Sequence, residues 1–401
     1  MVNKEEIDQW LREGVVTQEQ ADKMIVDVQR ARTEESSSKI IATISTIGAV
    51  LFGLGTILFV AANWDILSYV AKIVILTTVT FIIYFLGYFF QYRFRNLPQV
   101  GESLIFLSTL LFGATIFLIG QIYHVPAYNH YLLIIWLVGI LPLVYITKSY
   151  NIAGLATLIF YVWIALFTYR AIDIFENTAD FYRLPVMYLI SGVLLFGVGA
   201  LHYFLKGFNL VARAIRLSGV RVTLLSLFLL SLKFFSGTYN EFSFVSEIKE
   251  ASDPFTLLIV IFSIIALILL YINLRFNPSR SKTNNIENTI GFILVAIGLV
   301  FFFIPFYGNV YTLMFNLVLT AISFVLIAIG YQREDLQVVN TGLFWFVALI
   351  IIRYFDFFWR LLPRSLFFLV GGLVILIGGI ALELTKRKLR TKFQYSLRAE
   401  K

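Results

Sequence analysis

Two short polar runs interrupt an otherwise apolar chain. One reads Asn63-Trp64-Asp65; the other reads Gln121-Ile122-Tyr123-His124, followed by Pro126, Tyr128, Asn129 and His130. Amide, phenol, imidazole and carboxylate groups of these kinds can hydrogen-bond a polar ligand. Both runs close apolar stretches that emerge on one side of the topology argued below. Asn63, Trp64, Asp65, Gln121, Tyr123 and His124 could therefore line one shallow ligand-binding pocket that opens outward. Each residue also has a plainer use. Asn63 can cap a helix, Trp64 and Tyr123 suit an interfacial aromatic belt, and Gln121 can bond a neighbouring helix for about 0.6–2 kcal/mol. His124 and His130 can sit in solvent. Two histidines in one loop with a single aspartate elsewhere make a poor metal signature. The sequence holds no phosphate-binding loop, no nucleophile elbow and no paired intramembrane carboxylates. It names no catalytic residue, metal site or cofactor, and the enzyme reading is the weaker one.

The elements that must position these runs are read from hydropathy. Of 401 residues, 59% are hydrophobic and only 14% charged, with 40 Phe and 21 Tyr; a soluble domain carries about a quarter charged residues. Twelve stretches of roughly twenty apolar residues fill the chain, and each is long enough to cross a bilayer core of about 30 Å at about 1.5 Å per residue. They lie near 40–62, 69–90, 103–123, 129–147, 151–169, 184–205, 219–235, 254–273, 289–307, 310–331, 337–353 and 364–385. The expected fold is all-α, a polytopic helical bundle in a membrane. Cysteine is absent, which removes thiol chemistry and thiolate metal sites.

An even number of crossings puts both termini on one side. With the N-terminus inside, inner segments hold 24 of the 32 Lys and Arg, among them Arg93, Lys148, Arg213, Arg216, Arg275 and the tail from Lys386. Short basic loops stay cytoplasmic, so the net charge of +8 is mostly a topology signal and nucleic acid is not an expected partner. Membrane lipids are. The outer segment Arg353–Arg360 places Asp356 within helical reach of two arginines, beside Phe357, Phe358 and Trp359 at head-group depth, and reads as an interfacial helix.

Residues 1–39 read as a small cytoplasmic helical hairpin and a Ser-rich hinge, residues 40–385 as the membrane bundle, and residues 386–401 as a basic cytoplasmic tail. In the hairpin, Asn3 with Glu6 and Thr17 with Gln20 fit a capping box. Ile7, Trp10 and Leu11 form one apolar stripe, and Ala21, Met24, Ile25 and Val28 the other. Residues 1–35 could dock a cytoplasmic partner or simply cap the bundle. No basic-then-apolar leader precedes the first span, so Ile40 onward is expected to act as an uncleaved signal anchor. Ile47-Gly48, Leu51, Gly55 and Phe59 recur as Ile290-Gly291, Leu294, Gly298 and Phe302 at identical spacing. The match hints at two related halves, 40–205 and 219–385, as many transporters have; it also suits close helix packing.

The hairpin around Trp10, Gly14, Thr17 and Ala21, the segment Gly48 to Gly55, the Ala61-Ala62-Asn63-Trp64 run, Phe112-Gly113-Ala114, Gly120–His124 and Trp136 together carry a resemblance. Residues 3–150 resemble the bacterial multi-pass membrane proteins grouped as domain of unknown function 2157. The resemblance implies a bacterial inner-membrane protein with a cytoplasmic N-terminus, and it carries no activity. Two functions stay open: binding or transport of a small molecule or lipid, and a structural or signalling role through the hairpin. Few charges lie deep in the spans, which weakens ion-coupled transport.

Overall fold

The computed structural model describes residues 16–26, 68–94, 97–171, 182–236, 254–276, 282–304 and 308–358, with isolated positions between 7 and 59 and between 368 and 380. Among the described residues there is no strand, and the chain is an all-α polytopic bundle. The described residues form ten long helices. They are α1 (Tyr69–Tyr88), α2 (Pro98–Ile122), α3 (His130–Thr147), α4 (Tyr150–Ala171), α5 (Arg183–His202), α6 (Asn209–Leu230), α7 (Pro254–Phe276), α8 (Lys282–Phe303), α9 (Gly308–Gln332) and α10 (Leu336–Phe358). All but α6 are long and apolar enough to cross a membrane, which gives nine such helices among the described residues. Each coincides with one of the twelve expected crossings. Two others, 40–62 and 364–385, fall mostly outside the described residues.

The starts and stops follow local chemistry. Ser68 caps α1 by accepting from the Ala71 N–H at 3.2 Å, and Asn129 caps α3 through Tyr131. Asp335 caps α10 by accepting from Gln337 at 2.8 Å. Pro98 opens α2, at the one helical position where its missing N–H costs nothing. α1 runs on into a π-helical turn, Phe89–Arg93. In the N-terminal segment, the Thr17 hydroxyl accepts from the Gln20 N–H and the Gln20 side chain accepts from the Thr17 N–H, a closed capping box.

Several expected boundaries move outward. α6 starts at Asn209 rather than near 219, α8 at Lys282 rather than near 289, and α10 continues to Phe358 rather than stopping at 353. A hydropathy window sees only the apolar middle of a helix. Polar ends such as Arg213 and Arg216 extend it wherever a partner or water receives their charge. Arg353, expected on a separate interfacial helix, sits within α10 and donates to the Ser231 carbonyl at 3.1 Å.

Burial is inverted relative to a soluble protein. On α7 the buried face carries Ser263, Ala266 and Asn273 beside Phe255, Ile259 and Leu270, whereas Leu257, Ile261, Ile264, Ile268 and Tyr271 are exposed. The outward face is thus at least as apolar as the inward one. Water would penalise that arrangement by about 25 cal/mol per Å²; hydrocarbon favours it. Many hydroxyls inside the spans are answered within their own helix, as Thr80 donates to Leu76 O and Ser323 to Leu319 O, while Ser226 of α6 donates to Pro185 O of α5. Such back-bonding satisfies a donor where water is absent.

Contacts divide the chain into two compact units, Met1–Phe160 and Tyr161–Lys401, with the division inside α4. In the first, α1 packs on α2 and α2 on α3. In the second, α5 packs on α6, α7 and α8, while α6 also meets α9 and α10.

Candidate functional site

Within the first unit, the residues of the expected outer pocket meet different fates. Asn63, Trp64 and Asp65 lie outside the described residues. Gln121, Tyr123 and His124 form the exposed end of α2. His124 adopts a left-handed backbone, φ 57°; its N–H bonds Gln121 O at 3.1 Å, and the Val125 N–H bonds Gly120 O at 2.8 Å. This is a Schellman cap with histidine where glycine is usual. Gly120 faces Leu132 of α3, and a Cβ there would lie 3.2 Å from its methyls.

Gly113 and Trp136, which carry part of the resemblance, have a packing reason, and Gly139 repeats it. A Cβ on Gly113 would lie 2.3 Å from the Trp136 ring, and one on Gly139 would lie 2.3 Å from Phe112. The indole N–H of Trp136 donates to Thr109 O at 2.9 Å. Aromatic rings thus seat in glycine notches across α2 and α3.

A better-formed site lies in the second unit. α5, α6, α8 and α9 line a narrow, partly open cleft. Its walls are aliphatic and aromatic, with Val193 and Phe196 from α5, Val220 from α6, Leu294 from α8 and Val325 from α9. Glu287 is the one charged residue of the lining.

That carboxylate is held on two sides. Arg216 of α6 donates to Oε2 of Glu287. Arg333, one residue past α9, donates through Nη1 to Oε1 at 2.7 Å and through Nη2 to Oε2 at 3.0 Å. Arg333 also reaches the Thr283 hydroxyl at 3.1 and 3.3 Å. The Arg216 guanidinium lies 4.9 Å from the Phe196 ring centroid and 5.9 Å from that of Tyr203, distances at which cation–π attraction operates. Glu287 is 14% exposed, Arg216 20% and Arg333 32%, so the cluster is screened from solvent without being sealed. Arg213, one turn before Arg216, donates to Gln337 at 2.7 Å.

The backbone sets this geometry. A Cβ on Gly199 would lie 2.5 Å from the Arg216 nitrogen, so only glycine lets α6 bring Arg216 against α5. Two fully buried amides sit near the same helix ends: Asn273 donates to Gly197 O at 3.3 Å, and Asn288 to Asn284 O at 2.9 Å.

Sequence reasoning located the arginines only as topology markers and passed over Glu287. The missed signal was weak: a lone acid placed one helical turn before an apolar stretch, whose arginine partners lie 71 and 46 residues away.

No curated protein and no solved structure matches the chain. The family match covers the first unit and ends well before the cleft. Residues 8–153 match the family described as "Predicted membrane protein (DUF2157)", and the chain is a multi-pass membrane protein of that likeness.

Proposed function

We propose that this membrane protein binds a lipid-like amphiphile in the cleft of its second unit, with the tail among the aliphatic walls and the head at the Arg216–Glu287–Arg333 cluster. The observation that carries the reading is an apolar cleft between four helices that ends at charged groups. Ligand sites are commonly apolar concavities with a few convergent polar groups. In this reading the charged end of the cleft faces the cytoplasm, which the excess of Lys and Arg on that side of the expected topology supports. In this reading the exposed Gln121–His124 turn is a helix cap first.

The test is native mass spectrometry of the full chain in mild detergent, comparing wild type with Val325→Trp and Val220→Trp. Both positions line the cleft and are half-buried, so an indole can fill the space without entering a closed core. Wild type retains lipid adducts, and the plugged variants lose them while their melting temperature holds. Undiminished adducts on both variants would dismiss the cleft as the site.

A further inference from the structure

We infer that the head of the bound amphiphile is an anion, a phosphate or carboxylate, and that Glu287 stands in its place when the cleft is empty. The inference rests on the cleft reading above and adds the chemistry of the head.

Two guanidiniums converge on one carboxylate, so within the ion-paired group itself positive charge outnumbers negative two to one. At the end of an apolar cleft such an excess is poorly screened, and an anionic group is what neutralises it. Guanidinium geometry fits the ligand class. Arg333 already engages both oxygens of Glu287 in a two-pronged pair, the arrangement that also fits a phosphate or a free carboxylate.

Arg216 touches both environments. Its guanidinium covers Phe196, a wall of the cleft, while its Nη2 meets the carboxylate. A head bound at Arg216 would therefore leave its tail pointing along the aliphatic walls toward Leu294. Basic pockets between membrane helices take anionic lipid head groups by the same electrostatics. Glu287 is the internal competitor: an entering anion must share or displace it, which makes binding reversible rather than permanent.

The experiment loads the detergent-purified full chain with phosphatidylglycerol, phosphatidylcholine or inorganic phosphate alone. It counts retained lipids by native mass spectrometry and follows melting temperature. Wild type is expected to retain phosphatidylglycerol about tenfold better than phosphatidylcholine. Glu287→Gln is expected to tighten the anionic lipid, and Arg216→Gln to erase the preference while still holding phosphatidylcholine. Arg333→Lys, which keeps the charge and loses the two-pronged geometry, is expected to fall between.

Equal retention of the two lipids by wild type overturns the anionic head yet leaves the cleft reading intact. Lipid retained by Val325→Trp as by wild type overturns the cleft reading itself. Stabilisation by inorganic phosphate with no lipid retained overturns the amphiphile and leaves only an anion site.

Discussion

The α2–α3 and α5–α6 pairs both close on glycine, but against different matter. In the first, Gly113 and Gly139 receive the side chains of Trp136 and Phe112. In the second, Gly192 and Gly219 face each other's backbone: a Cβ on Gly219 would lie 2.6 Å from both Gly192 O and Phe196 N. Side chains can turn or be replaced, whereas backbone cannot. The first pair is therefore a lock with exchangeable parts, and the second fixes the spacing on which the cleft depends. Close approach through small residues is a general solution where lipid gives helices no hydrophobic reason to associate.

Three substitutions separate the two kinds of contact. Gly219→Ala should cost about 3 kcal/mol, because the new methyl must push two helices apart. Thermal unfolding in detergent reads this, and no single side-chain change on α5 should recover it. Gly113→Ala should cost about 2 kcal/mol in the same assay. Here the double variant with Trp136→Leu should recover most of the loss, since removing the ring removes the clash; failure to recover would make the two pairs alike. His124→Gly should be the smallest effect, a gain of about 0.5 kcal/mol, because glycine adopts positive φ without strain. A large loss there would mean that the imidazole does more than cap α2.

Much of this architecture was legible in the amino-acid order. Hydrophobic length marked nine helices, because about twenty apolar residues have only one stable conformation in hydrocarbon. The capping box at Thr17 and Gln20 was legible for a similar reason, its partners being three residues apart. The starts of α6 and α8 were hidden, since arginine, lysine and asparagine in their first two turns look like loop to a hydropathy window. The ion cluster was hidden more deeply: Arg216 lies on α6, Glu287 on α8 and Arg333 just past α9, and only packing brings them together.

Equal spacing does not bring equal burial at the described positions. Leu294 and Phe302 are buried and Gly291 abuts Leu270, while Leu51 and Phe59, at matching positions of the other segment, are exposed. A repeated pattern of small and apolar residues reports what a helix can pack against, and its neighbours decide whether it does.

Lipid must surround the outward faces of these helices for their exposed apolar side chains to be stable. The absence of native cysteine makes that directly measurable by placing single spin-labelled cysteines along α7, at Ile261, Ile264 and Ile268, in the reconstituted protein. Relaxation by oxygen, which concentrates in hydrocarbon, should dominate at all three positions over relaxation by a water-soluble nickel chelate. If the nickel reagent dominates there, water bathes those side chains and the membrane assignment is wrong.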